Sequence, residues 1–211
     1  QAIMSTPENT KKEIKIAKVG KKYIDISETR QEGNVRYREE KLKKIFSKKR
    51  SKLIHTHTGI TPLKELPSSQ DITNIISNYI NYNKDFSAIS VMDSVNGKES
   101  GRVGIILSKE AKKYIKKNFE YDTLDDLDDM LYDFREHINQ RIDRMGNGIV
   151  WHLLNNRGLS RSSPEFEKIG NNSLKKMMLR YYMHSLKLGF RFVPMPGYKF
   201  NKETLSFEKI K

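Results

Sequence analysis

The chain reads Leu53-Ile54-His55-Thr56-His57-Thr58-Gly59 and, after a short loop, Leu66-Pro67-Ser68-Ser69-Gln70-Asp71-Ile72. Alternating residues in a β-strand point to the same side, so a strand over Lys52–Thr56 that ends in histidines presents His55 and His57 to one site. Asp71 falls at the start of the helix predicted over Asp71–Asn81, where the helix N-terminus favours a carboxylate. Two imidazoles and a carboxylate supply three ligands, which leaves one open position on a tetrahedral zinc ion.

Ser68 has two interpretations that the sequence leaves open. Its hydroxyl could donate a hydrogen bond to an oxygen that develops negative charge beside the metal. It could equally cap the helix that begins near Asp71, a role that serine commonly takes. A pair of strand histidines alone is also more often structural than metal-bound, and the P-S-x-x-D segment after His57 is what favours the metal interpretation.

The pattern H-x-H followed by P-S-x-x-D-I resembles the JAMM, or MPN-plus, zinc metallopeptidases of the Mov34 type. The resemblance covers Lys22 to about Leu107. It implies that His55, His57 and Asp71 bind Zn²⁺ and that Ser68 stabilises an oxyanion. It also implies hydrolysis of a peptide or isopeptide bond in a protein or peptide substrate, for example removal of a ubiquitin-like modifier. The chain departs from the family pattern in having Thr58 where a proline usually stands, and a loop about three residues longer before Ser68.

The family also requires a glutamate from an early strand, which takes the proton of the attacking water. The resemblance assigns this role to Glu28, which directly follows the predicted strand Lys22–Ser27. Glu32, followed by Gly33, is the alternative. If neither glutamate reaches the metal, the chain is expected to be an inactive JAMM-like scaffold.

Periodicity along the whole chain predicts an α+β fold, a curved mixed β-sheet flanked by helices. The division that we predict is a polar tail (1–10), a JAMM-like domain (11–118) and a helical C-terminal extension with closing strands (119–211). In the JAMM-like domain, the predicted strands are Glu13–Val19, Lys22–Ser27, Lys52–Thr56, Ser87–Asp93 and Gly101–Leu107, and the predicted helices are Glu39–Lys49 and Asp71–Asn81. Asn96-Gly97 is a hairpin signal between the last two strands.

The last ninety residues have a more helical pattern. Thr123 is predicted to be the N-cap of a helix, and a second helix is predicted over Ser173–Lys187. Breaks are predicted at Asn147-Gly148 and between Asn156 and Pro164. Short strands are predicted over Phe190–Val193, Tyr198–Phe200 and Leu205–Glu208.

Several classes of protein find no support in the sequence. The chain has no cysteine, which excludes disulfide frameworks, thiolate metal sites and cysteine nucleophiles. H-E-x-x-H, G-x-S-x-G and Gly-rich phosphate-loop motifs are absent, and the histidine-rich metal barrels would need more ligands than the three other histidines supply. No apolar run approaches the roughly 20 residues that span a bilayer, and no signal segment opens the chain. We therefore expect a soluble cytoplasmic protein without a membrane partner, and leave open a phage or virion-associated location and the oligomeric state.

Basic residues are concentrated near the N-terminus. The formal net charge is +14, and sixteen of the forty Lys and Arg residues lie between Lys11 and Lys52. The densest part is expected to form a face for a polyanion, such as nucleic acid, or for an acidic protein partner: Lys41, Lys43, Lys44, Lys48, Lys49, Arg50 and Lys52. The alternative function is accordingly a catalytically inactive scaffold or assembly component that binds such a partner through this face.

Overall fold

A computed structural model of the chain describes residues 14–27, 39–46, 51–58, 63–93 and 95–211. These residues form five helices and eight strands. In chain order they are β1 (Lys15–Val19), β2 (Lys22–Asp25), α1 (Glu39–Phe46), β3 (Ser51–His57), α2 (Ser69–Tyr82), β4 (Phe86–Met92), β5 (Glu99–Leu107), α3 (Lys109–Asn118), α4 (Leu124–Asn155), α5 (Pro164–His184), β6 (Leu188–Pro194), β7 (Tyr198–Asn201) and β8 (Ser206–Lys209).

Six of the strands form one mixed sheet in the order β2-β1-β3-β4-β5-β6, and β7 and β8 form a separate hairpin. The pair β3–β4 is parallel, because α2 connects these two strands, and the other pairs are antiparallel. His55 is the register partner of Lys15 on one side and of Ile89 on the other. The histidine strand therefore lies inside the sheet, where neighbouring strands fix its backbone.

The main hydrophobic core lies between this sheet and α2, α3, α4 and α5. Alternate residues of β4 and β5, such as Ile89 and Val103, are fully buried against the α2 stripe that includes Ile72 and Ile75. Tyr182 of α5 is also fully buried in this core. Residues on both sides of the predicted boundary at 118/119 therefore share one core, and β6 pairs with β5 in the same sheet.

The α+β class and the mixed sheet are confirmed, and most elements are close to the predicted ones. The Asn96-Gly97 signal is also correct, since Gly97 has a φ of 63° in the turn between β4 and β5. The predicted break at Asn147-Gly148 is wrong, because α4 continues through both residues. A helical glycine costs about 1 kcal/mol relative to alanine, and packing of α4 against α5, including buried Leu153, offsets that cost.

Two other helices differ from the prediction. The fifth helix begins at Pro164, nine residues before the predicted start at Ser173, because Ser163 caps it and a proline fits the first helical turn. The helix α3 was not predicted. Its apolar residues Ala111, Tyr114 and Ile115 have helical spacing, but they are only three of ten residues, and of these Ala111 and Ile115 are buried. None of the described helices has the length and apolar character needed to cross a membrane.

Candidate metal centre

The two histidines of β3 lie on the same side of the strand, as predicted. His55 is buried and His57 is partly buried, and their Nε2 atoms are 3.1 Å apart. Period-two alternation puts both side chains on one side of a strand whose backbone is held by β1 and β4, and both rings direct Nε2 toward Asp71. The prediction that His55 and His57 face one site is confirmed.

Asp71 comes to the histidines from the first turn of α2. Ser68 is the N-cap of this helix, and the two residues form a capping box: Asp71 N donates to Ser68 Oγ, and Ser68 N donates to Asp71 Oδ2 at 2.7 Å. The Ser68 hydroxyl also donates to Asp71 Oδ2 at 2.7 Å. Ser68 therefore caps the helix and at the same time fixes the orientation of the Asp71 carboxylate.

The three side chains converge on one point. His55 Nε2 is 2.8 Å from Asp71 Oδ1, and His57 Nε2 is 3.2 Å from Asp71 Oδ2. One ligand atom of each residue lies within 4.8 Å of the others. Within the described ranges this is the one group of three or more histidines and acids close enough to share an ion. The group can hold a metal ion.

The charge state of Asp71 suits it to this role. Burial raises the pKa of Asp71, but the neighbouring His55 and His57 outweigh burial and hold the pKa well below its usual range. The carboxylate is therefore ionised at neutral pH. Oδ2 already accepts two hydrogen bonds from Ser68, which leaves Oδ1 as the oxygen with more capacity for a cation.

The loop between β3 and α2 supplies a further contact to the group. His57 Nδ1 lies 3.0 Å from the carbonyl oxygen of Lys64. A carbonyl can only accept, so Nδ1 carries a proton in this contact, and Nε2 is the ring nitrogen that faces Asp71. Metal-bound histidines in proteins usually have such a partner on the second ring nitrogen.

This loop is tied to the rest of the molecule by three side-chain contacts. Tyr182 OH donates to Pro67 O at 3.0 Å, and Lys175 Nζ, also from α5, lies 3.1 Å from Glu65 Oε2. Lys64 Nζ donates to Met92 O at 3.1 Å. Sequence reasoning missed these contacts, because partners 28 to 115 residues apart leave no local pattern.

An open cavity of about 340 Å³ lies over the group. Its walls come from β3, the loop and α2, but also from the C-terminal helices through Asn139, Ile142 and Met178. Thr58, buried at the end of β3, lines it too. Among the described residues Thr58 Oγ1 is the one buried side-chain polar atom without a hydrogen-bond partner. A ligand in the cavity could supply that partner.

The other predicted site residues are described only in part. Glu28 and Glu32 lie outside the described residues, so their roles stay predictions. The described residue next to Glu28 is Ser27. Its Oγ accepts a hydrogen bond from the backbone N–H of Lys15, and Lys15 is the register partner of His55.

The predicted basic face is likewise only partly described. Lys43, Lys44 and Lys52 are exposed, and Lys41 lies in α1. Lys48, Lys49 and Arg50 lie outside the described residues.

Comparison of the chain with protein-family models, with curated proteins and with solved structures found no match.

Proposed function

We propose that the chain is a zinc-dependent hydrolase of peptide or isopeptide bonds, with a catalytic site of the JAMM type. The observation that carries the proposal is the convergence of His55, His57 and Asp71 on one point below an open cavity. The order of elements from β2 to β5, in which the histidine strand is followed by a helix with Asp71 in its first turn, is the order that the resemblance implies.

The spacing of the ligand atoms leaves room for a small divalent ion such as zinc. Two ligands bound to zinc at about 2.0–2.1 Å and at the tetrahedral angle are about 3.3 Å apart. The corresponding contacts here are 3.1 Å between the two Nε2 atoms and 2.8 Å between His55 Nε2 and Asp71 Oδ1. An expansion of a few tenths of an ångström would fit the ion. Two imidazoles and one carboxylate, with no thiolate in the chain, also form a ligand set found in catalytic zinc sites.

Zinc in this site would supply Lewis acidity toward a substrate carbonyl and toward water. Proton transfer then needs a base from the protein, and we assign it to Glu28, which would move the proton from water to the leaving amine. Glu32 is the alternative base. Asp71 is a poor candidate for this base, because its pKa is low and its carboxylate already contacts Ser68 and both histidines. The base must therefore be a different residue from the metal ligands.

We assign Ser68 two tasks in sequence. Its single hydroxyl proton is donated to Asp71 Oδ2 in the structure, so it orients a ligand before substrate arrives. Stabilising an oxyanion would require the hydroxyl to turn from Asp71 toward the cavity, which Ser68 also lines.

The experiment that tests the proposal measures metal content and hydrolysis together. Purified protein should contain about one zinc ion per chain and cleave a linear or branched fusion to a ubiquitin-like modifier. His57→Ala should lose both the metal and the activity. Glu28→Gln should keep the metal and lose the activity, because only proton transfer is removed. Glu32→Gln should change neither.

The matched control is His152→Ala, which removes an exposed histidine of α4 and should alter neither quantity. Unchanged zinc content in His57→Ala would refute the metal site. If metal-loaded protein cleaves none of these fusions, the inactive scaffold becomes the better interpretation. Loss of activity in Glu32→Gln but not in Glu28→Gln would move the base to Glu32.

A further inference from the structure

A second concave site lies at the opposite end of β3 from the histidines. It is a groove of about 660 Å³ between the β1–β2 turn, the start of β3 and the connection from α2 to β4. Four of its lining residues are lysines, namely Lys18, Lys21, Lys52 and Lys84. The groove shares no lining residue with the metal cavity.

Three of these lysines have their ammonium groups placed over aromatic rings. The distances from Nζ to the ring centroid are 5.3 Å for Lys18 over Tyr23, 4.9 Å for Lys52 over Phe86 and 5.8 Å for Lys84 over Phe46. Such cation–π contacts restrict a flexible side chain without neutralising its charge. The groove therefore presents several positive charges at restricted positions.

Among the described residues that line the groove, Asp85 is the one acid, and it forms an ion pair with Lys112 of α3. In the sequence, Lys48, Lys49 and Arg50 directly precede Ser51, another lining residue, although these three lie outside the described part of the chain. The groove thus lies in the most basic region of a chain with a net charge of +14.

We propose that this groove binds the phosphates of a nucleic-acid backbone. Several separate ammonium groups along an open groove suit a row of phosphates better than one isolated anion. The described cations of the groove are all lysines, which act as point charges on phosphate and lack the bidentate fork with which arginine reads guanine. The binding is therefore independent of base sequence and sensitive to salt.

The test is fluorescence anisotropy with a labelled oligonucleotide of mixed sequence, about 20 nucleotides long, as a single strand and as a duplex, in KCl from about 50 to 300 mM. EDTA is present throughout, so that the result does not depend on the metal site or on hydrolysis. The groove variant is Lys18→Gln/Lys21→Gln/Lys52→Gln. Its control is Lys199→Gln/Lys202→Gln/Lys209→Gln, which removes three exposed lysines from the β7–β8 hairpin. This hairpin contacts β5 and β6, at the edge of the sheet opposite to β1 and β2.

Wild-type protein and the control should bind with a similar salt slope. The groove variant should bind at least about tenfold more weakly at the lowest salt, and its slope should fall by about 2 to 3, since each lost phosphate contact removes about 0.9 from the slope on duplex DNA. Circular dichroism of both triple variants should match the wild type, because Lys21 and Lys52 are exposed and Lys18 is half-buried. The groove variant should have only a slightly lower melting temperature, since it gives up two cation–π contacts near the surface.

Four outcomes would overturn the proposal. Equal weakening in the groove variant and the control would assign the binding to net charge rather than to the groove. Absence of binding at about 50 mM KCl would show that the basic region is only a solvated surface. Displacement of the oligonucleotide by an equimolar amount of inorganic tripolyphosphate would identify the ligand as a small free polyphosphate. An acidic peptide that binds more tightly than either nucleic acid would identify a protein partner instead.

Discussion

Tyr182 donates a hydrogen bond of 3.0 Å to the carbonyl oxygen of Pro67, 115 residues earlier in the chain. The tyrosine is fully buried, and burial raises the pKa of its hydroxyl well above the usual range, so it remains a neutral donor. Pro67 immediately precedes Ser68, which orients Asp71. Through this contact α5 holds the loop that shapes the candidate metal centre.

Removing this hydroxyl should therefore weaken both the fold and the metal site. We expect Tyr182→Phe to lower the free energy of unfolding by about 1–2 kcal/mol, because the carbonyl of Pro67 loses its buried donor. Metal affinity, measured by competition with a chromophoric chelator, should fall severalfold. Tyr181→Phe removes a hydroxyl from the adjacent, less buried position and should change neither quantity. Wild-type metal affinity in Tyr182→Phe would show that the loop is held without this bond.

A buried ion pair forms the second tie between α5 and the loop. Lys175 Nζ is 3.1 Å from Glu65 Oε2, and both side chains are more than nine-tenths buried. Breaking such a pair leaves an uncompensated charge, so Lys175→Met should cost about 3–5 kcal/mol in urea unfolding. The double variant Lys175→Met/Glu65→Gln should recover much of this loss.

The exposed neighbour Lys176 provides the control for that cycle. Lys176→Met should lie within about 0.5 kcal/mol of the wild type. If Lys175→Met is equally mild, the pair contributes little to stability, and α5 holds the loop through Tyr182 alone.

These two ties illustrate which parts of the site the sequence can reveal. His55, His57, Ser68 and Asp71 were predictable, because strand alternation and helix capping act over two to three residues. Tyr182 was not, since its donor role depends on a packing arrangement between distant segments. The same limit applies to the cavity wall that α4 and α5 contribute.

The fold shows the same division between local and distant causes. The Asn96-Gly97 hairpin signal predicted β4 and β5, and the apolar stripe of α2 predicted that helix. In contrast, α3 is a short helix with a Ser108 cap and two buried residues, Ala111 and Ile115, among five lysines, and the sequence analysis did not identify it. The continuity of α4 through Gly146 and Gly148 depends on packing against α5, which overrides the local preference of glycine.

Ser68 combines a capping role with a role in orienting a ligand, and the two can be separated. Ser68→Ala should destabilise the protein by about 1 kcal/mol through loss of the cap. It should also lower metal affinity by about 10- to 100-fold, because Asp71 Oδ2 loses a donor that fixes its orientation. Ser163→Ala, which removes the cap of α5, should match the loss of stability without affecting metal affinity. Equal metal affinity in the two variants would limit Ser68 to capping.

Thr58 provides the sharpest test of whether the cavity receives a ligand. Its buried hydroxyl has no partner among the described residues, and leaving such a group unsatisfied costs about 1–3 kcal/mol. In metal-free protein, Thr58→Val keeps the side-chain shape and should therefore raise the free energy of unfolding by about 1 kcal/mol.

In the metal-loaded protein, the same change should lower the hydrolysis rate by about tenfold if the hydroxyl contacts substrate or the reacting water, since a polar contact made in the transition state would be lost. Zinc content should stay the same, because Thr58 is not among the ligands. Thr73→Val is the matched control, because Thr73 is also buried but its hydroxyl donates to Gln70 O at 3.1 Å. This variant should be less stable than the wild type and should hydrolyse substrate at the wild-type rate. A stabilised Thr58→Val that hydrolyses at the wild-type rate would exclude Thr58 from the reaction and leave its hydroxyl as a purely structural cost.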